Sequence, residues 1–175
     1  MERLIKKLEN IALSNEEILQ ICNNKANLLT YPELHKYNDI NQCLGKYGAV
    51  IILYETRKDY GHWVCVFKSA KNKLEFFDPY GLFPDEELKF IPEHFRKISN
   101  QQYPHLTYLL YKSNYLIEYN DHKLQKKLKN IATCGRHVGL RILLRKYNID
   151  QYASLFKDKC FNADQIVTML TAFIN

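Results

Sequence analysis

His62-Trp63-Val64-Cys65-Val66-Phe67 and Leu74-Glu75-Phe76-Phe77-Asp78 are two strand-like runs, divided by the short polar segment Ser69-Ala70-Lys71-Asn72-Lys73. Apolar and aromatic runs on either side of a short polar turn read as a β-hairpin. A turn centred near Ala70 sets His62, which opens the first strand, across from Asp78, which closes the second. Directly opposed residues on one face of a sheet have Cβ atoms roughly 5 Å apart. An imidazole and a carboxylate at that spacing can share a hydrogen bond. Upstream, Ala49-Val50-Ile51-Ile52-Leu53-Tyr54 is a continuous apolar run. It predicts a third strand buried on both faces.

Outward from this sheet the pattern becomes helical. Leu4, Ile5, Leu8, Ile11 and Ala12 repeat at helical spacing, and Ser14 with Glu17 forms a capping box for a second helix through about Cys22. A short helix or turn is expected through Leu44. After the hairpin, Pro79-Tyr80-Gly81 ends the strand, and Leu88 to Ile98 is expected to be helical, broken or started at Pro92. Leu106 to Tyr111 and Tyr115 to Tyr119 read as further strands. Past Cys134, the residues Val138, Leu140, Ile142, Leu143 and Leu144 predict a helix to about Tyr147. A last helix over 163–174 has Asn162 as cap and Ile166, Val167, Leu170 and Phe173 on its inner face. The expected class is α+β, a central, mostly antiparallel sheet flanked by helices. The whole of 1–175 is expected to be one domain: N-terminal helices over 2–44, a core over about 49–147, and the C-terminal helix.

The chain has 175 residues and a formal net charge of +6. Its five cysteines, at 22, 43, 65, 134 and 160, are odd in number and contain no C-x-x-C pair. That argues against a zinc site or a disulfide scaffold, and for a reducing compartment. No apolar run reaches membrane-spanning length, and the start of the chain lacks a signal-peptide core. The basic groups Lys6-Lys7, Lys126-Lys127-Lys129 and Arg141-Arg145-Lys146 are spread along the chain. They suit a solvated surface, or one that meets nucleic acid or an acidic partner.

Chemistry concentrates around Thr133-Cys134-Gly135-Arg136-His137. Thr133 is placed to cap a helix whose first residue is Cys134. Unpaired N–H groups and the positive end of the helix dipole favour a thiolate there. Gly135 lacks a side chain, so a substrate backbone can come close. His62 is the candidate base, Asp78 its orienting acid, and Gln125 a side-chain amide for an oxyanion beside the Cys134 N–H. Trp63 can shield such a site from water or fill the core. Taken singly, each residue has a plainer reading: a small core cysteine, a capping histidine, an Asp-Pro-Tyr-Gly turn. Their joint occurrence favours a half-exposed nucleophile with its base. His137, one turn beyond the cysteine, and His122 beside Asp121 are rival bases with poorer placement.

Gly61-His62-Trp63, Phe77-Asp78-Pro79-Tyr80-Gly81, Gln125 and Thr133-Cys134-Gly135-Arg136-His137 resemble the adenovirus-protease and Ulp1-like cysteine peptidases. The order His, Asp, Gln, Cys is that family's order and differs from the papain order, where cysteine comes first. The resemblance spans roughly Ala49 to Tyr147, and the Cys-Gly-Arg-His form is most similar to versions in virophages and large DNA viruses. It implies an adenain-type fold, a peptide groove that includes Trp63 and Gly135, and a viral endopeptidase. Cleavage after Gly or Ala in capsid or other virion precursors is implied, by a monomer acting in the virion and the host cytoplasm. No metal or cofactor is expected, while DNA or a peptide is a candidate activator. One departure stands out. Gln125 precedes Cys134 by nine residues, more than in family members, so Lys126 to Thr133 must bulge or another donor must serve. Two other functions compete: a ubiquitin- or SUMO-type isopeptidase on the same fold, and a non-enzymatic basic virion protein that binds DNA.

Overall fold

The computed structural model describes residues 2–174. Its centre is a five-stranded sheet in the order β1-β2-β3-β4-β5, with β1 Asn27–Thr30, β2 Ala49–Arg57, β3 Tyr60–Ala70, β4 Lys73–Phe77 and β5 Leu116–Tyr119. The expected hairpin is β3–β4, and the expected double burial of Ala49–Tyr54 holds throughout that run. The sheet is mixed rather than mostly antiparallel. The β2–β3 and β3–β4 pairs are antiparallel, whereas β1–β2 and β4–β5 are parallel. The cause lies in the connections. Parallel neighbours need a crossover of a dozen or more residues, and both outer strands are joined to the sheet by long helical segments.

Period-two alternation divides the apolar residues of the sheet into two cores. Ile51, Leu53, Trp63, Cys65, Phe67 and Phe77 share one face with Ile18, Ile21 and Val138. Val50, Ile52, Val64, Val66, Leu74 and Phe76 share the other with Leu34, Leu44, Leu106 and Leu110. The first face is covered by α2 Asn15–Ile21 and α6 Cys134–Leu143, the second by a 3₁₀ segment at Tyr31–Lys36, by α3 Ile40–Leu44 and by α5 His105–Lys112. The first helix, α1, spans Glu2–Glu9, and α4 spans Glu93–Ile98 just after Pro92. Ser14 and Glu17 form the expected capping box on α2. Among the described residues, no helix is long and apolar enough to cross a membrane.

Several expectations are corrected. Leu106 to Tyr111 is helix α5, not a strand: Leu106, Leu109 and Leu110 are buried at helical spacing while Tyr108 and Tyr111 face solvent. The hairpin turn falls at Lys71-Asn72, so Cys65 pairs with Phe77 and Lys68 with Leu74. His62 is therefore two positions out of register with Asp78, which lies just past the end of β4. A slip of two keeps every side chain on its face. α6 stops at Leu143, and a further short helix, α7 Ile149–Ser154, follows. The last helix, α8 Ala163–Leu170, is capped by Asn162 as expected, with a 3₁₀ turn after it. Leu170 and Phe173 are exposed, however, and Asp164, Val167, Thr168 and Thr171 face inward. The reason is a buried cation: the Arg136 guanidinium donates to the Thr171 carbonyl and hydroxyl. Polar partners displace apolar ones on that side.

α6 is the axis of the fold. Its residues Cys134 to Ile142 are all buried. Arg141 donates to both Glu75 oxygens at 2.9 and 2.8 Å, tying α6 to β4. On its other side α6 meets α2 at glycines. A Cβ on Gly135 would stand 2.8 Å from Ile18 Cδ1, and one on Gly139 would stand 2.9 Å from Ile21 Cβ.

Candidate active site

Asp78 follows the last residue of β4 and opens the turn Asp78-Pro79-Tyr80-Gly81. That turn is closed by the Gly81 N–H on the Asp78 carbonyl at 2.9 Å, with Gly81 in the left-handed region at φ 73°. Asp78 Oδ1 accepts from the Tyr80 N–H at 2.7 Å and from His62 Nε2 at 2.8 Å. Asn120, also buried, donates to the Asp78 carbonyl at 2.7 Å. The Tyr80 ring stacks on the imidazole, with centroids 4.0 Å apart and planes 9° from parallel. On the far side, Gly61 lets the start of β3 close on β2; a Cβ there would lie 1.8 Å from the Tyr54 carbonyl oxygen. So the imidazole is fixed by a carboxylate, a ring and a strand end.

Burial opposes charge on His62, but the Asp78 carboxylate and then the Cys134 sulfur outweigh it and push its pKa up to about 10. Nε2 serves Asp78, while Nδ1 is buried and has no hydrogen-bond acceptor of ordinary geometry. Cys134 is a free thiol at the first position of α6 and is only 8% exposed, less than the half-exposure expected. Thr133 does not cap that helix with its side chain. Its hydroxyl donates instead to Asp164 of α8.

Gln125 reaches the same place despite its long spacing from the cysteine. Its backbone N–H and that of Leu124 both donate to the Pro79 carbonyl at 2.9 Å, so the turn that carries Asp78 also carries Gln125. The side-chain amide is buried with Oε1 unmet. His62, Gln125 and Cys134 line one cleft of about 290 Å³, walled by Leu13, Tyr60, Trp63, Tyr80 and Ile131. Trp63 both borders the cleft and belongs to the core. Gly135 borders it too, but the space its missing side chain leaves is taken by Ile18 and Trp63, so its first role is close packing of α6 on α2.

The rival histidines lie elsewhere. His137 is fully buried, held toward its neutral form by burial, with Nε2 3.6 Å from Asp164. His122 bonds Asp150 at 2.9 Å. Four residues near the site carried no functional reading from sequence: Tyr80, Asn120, Glu87 and Asp164. Tyr80 stood inside the Asp-Pro-Tyr-Gly motif, and the others had no local signal. Glu87 is buried at the cleft with Oε2 unmet, and burial raises its pKa, opposed by His62. Among the described residues, His62, Asp78 and Glu87 place ligand atoms within 4.8 Å of one another. A cation there would have to displace the proton shared by His62 and Asp78.

No protein-family model matches the chain. It is 46% identical over 171 residues to "Uncharacterized protein V9" of Sputnik virophage, across 95% of this chain and 98% of that protein. The virophage side of the sequence resemblance agrees with this relative, whose name states no activity. At that identity over nearly the full length of both, the chain belongs to the family of the Sputnik virophage V9 protein.

Proposed function

We propose that this protein is a cysteine endopeptidase of the adenain/Ulp1 type that processes capsid or other virion precursors. The observation that carries the reading is the His62 imidazole. It is held by Asp78 through Nε2, favoured in its charged form, and leaves Nδ1 for the Cys134 thiol at the start of a buried helix. The thiolate attacks the scissile carbonyl carbon. The oxyanion meets the Cys134 N–H and the Gln125 amide. The imidazolium gives its proton to the departing amine, and a thioester remains. His62 then takes a proton from water, the hydroxide attacks the thioester, and the carboxylic product leaves as the thiolate reforms. Asp78 keeps the ring orientation through both halves. Preference for Gly or Ala before the cut rests on the family resemblance, since Gly135 is filled from behind by Ile18.

The protein substrate is the only partner this chemistry needs. The +6 charge adds DNA as an activator; its benefit fades steeply with salt if phosphate contacts carry it. The reading is tested by incubating the purified protein with virion structural proteins and, separately, with a ubiquitin-like conjugate, with cut sites mapped by mass spectrometry. Cleavage of the virion proteins that disappears in Cys134→Ala is expected. Cleavage of the conjugate alone favours the isopeptidase. No cleavage of either leaves a basic virion scaffold.

A further inference from the structure

Gln125 precedes Cys134 by nine positions, and a loop of that length does not by itself hold an amide beside a helix start. The neck of the loop is closed by one side chain from outside it. Asp164, in the first turn of α8, is 1% exposed. Its Oδ2 accepts from the backbone N–H of Lys126, the residue after Gln125, at 3.1 Å. Its Oδ1 accepts from the hydroxyl of Thr133, the residue before Cys134. The arch between is shaped by bonds of its own: Leu128 N–H to Lys126 O, Ile131 N–H to Leu128 O, and Ala132 N–H to the Glu9 carbonyl at 2.7 Å. Pro79 holds Gln125 from the other side. None of these joins the two ends of the loop to each other. Two other buried titratable side chains face the carboxylate: His137, at 3.6 Å, and Glu9, whose pKa burial and Asp164 raise.

We propose that Asp164 is a positioning residue, a clasp that holds the Gln125 amide in register with the Cys134 sulfur across an unusually long loop. The catalytic consequence rests on the peptidase reading; the clasp itself is a property of the loop. Asp164→Ala removes both acceptors at once, whereas an Asn could keep the Lys126 bond and reverse the Thr133 one, because a hydroxyl also accepts. Thr133→Val removes only the hydroxyl end, and Thr133→Ser keeps it.

Three quantities test this: kcat/KM for precursor cleavage, the rate of Cys134 alkylation by iodoacetamide, and amide hydrogen exchange at Lys126. In Asp164→Ala, cleavage should fall about tenfold or more, approaching the loss expected for an oxyanion donor. Alkylation, which needs no oxyanion site, should stay within about twofold, and exchange at Lys126 should quicken. Adding Gln125→Ala should then cost little more, because both changes act on one group. Thr133→Val should repeat the pattern and Thr133→Ser restore cleavage. Full additivity of Asp164→Ala and Gln125→Ala, or alkylation falling in step with cleavage, overturns the proposal. If the wild-type protein cleaves nothing, the peptidase reading fails, and Lys126 exchange alone decides the clasp: quickened supports it, unchanged overturns it.

Discussion

Two buried cation–carboxylate pairs lie within one β3–β4–α6 unit, and they are finished differently. Arg141 and Glu75 are both almost inaccessible. The guanidinium meets both Glu75 oxygens and the carbonyls of Leu144 and Tyr147, with the rings of Phe67 and Tyr152 under 5 Å away. His62 and Asp78 are as deeply placed, yet Nδ1 of the histidine is unmet, and unmet oxygens of Gln125 and Glu87 border the same cleft. Leaving buried polar groups unmet costs roughly 1–3 kcal/mol each. A core pair has no reason to carry that cost. On the proposed peptidase reading, a pair that must meet a substrate and pass a proton does. The contrast separates stability from chemistry, and each variant below attacks one side of it.

The largest effect is expected at the cleft. Cys134→Ala and His62→Ala should each lower cleavage roughly 10⁴-fold or more. For Cys134→Ala the melting temperature should move by only a few degrees, about what one lost kcal/mol does at this chain length. Limited iodoacetamide and peptide mapping check the thiol directly. Cys134 should label first and the exposed Cys160 more slowly. Cys22, Cys43 and Cys65 should resist, because burial pushes their thiols up, Cys43 to about 11. Even labelling of all five would remove the nucleophile.

Next comes the core pair. Glu75→Ala strands a buried guanidinium and should destabilise by roughly 3–5 kcal/mol, read from chemical denaturation. Whatever fraction stays folded should cleave normally. A folded but inactive Glu75→Ala would erase the distinction between the two pairs.

Asp78→Asn should cost less than loss of the cysteine or histidine, roughly 10²-fold, and should change the pH response. His62 has its folded pKa raised from 6.5 to about 10, so its charge stabilises the native state fully below about pH 6.5 and ceases to do so as pH rises through about 10. Melting temperatures across that window should therefore decline with rising pH, and the alkaline limb of kcat/KM should lie near its upper end. Asn at 78 removes the strongest group opposing burial, so both features should move to lower pH. An unmoved limb would show that Asp78 does not set the charge of His62. A loss of similar size is expected at the oxyanion. Gln125→Ala should lower turnover by roughly 10²-fold; a loss under about threefold, well short of one kcal/mol, would reassign the donor to the Lys126–Thr133 backbone.

Much of this arrangement was legible in the chain. Ser14 with Glu17 and Asn162 announced helix starts because capping is settled by neighbours in sequence. The continuous apolar run of β2 announced a strand buried on both faces, and the two runs around a short polar turn announced the β3–β4 hairpin. Register was less secure: the polar turn residues permit a shift of two, and the shift left His62 to reach Asp78 diagonally, aided by the Asp-Pro-Tyr-Gly turn. Leu106 to Tyr111 deceived because leucines and tyrosines suit either structure over so short a run, and packing against Tyr31 and its neighbours chose the helix.

The sequence by itself determined the local elements around the site: the start of α6 at Cys134, the strand that delivers His62, and the turn that follows Asp78. Each follows from residues a few positions apart. The tertiary structure alone decided that Gly135 is packed by Ile18, that Arg141 closes on Glu75, and that Asp164 joins the ends of the Gln125–Cys134 loop. Those partners lie 31 to 117 positions apart, the Thr133–Asp164 bond spanning least and the Gly135–Ile18 contact most. Burial, which makes close packing favourable and an unmet polar group costly, selects among such distant candidates.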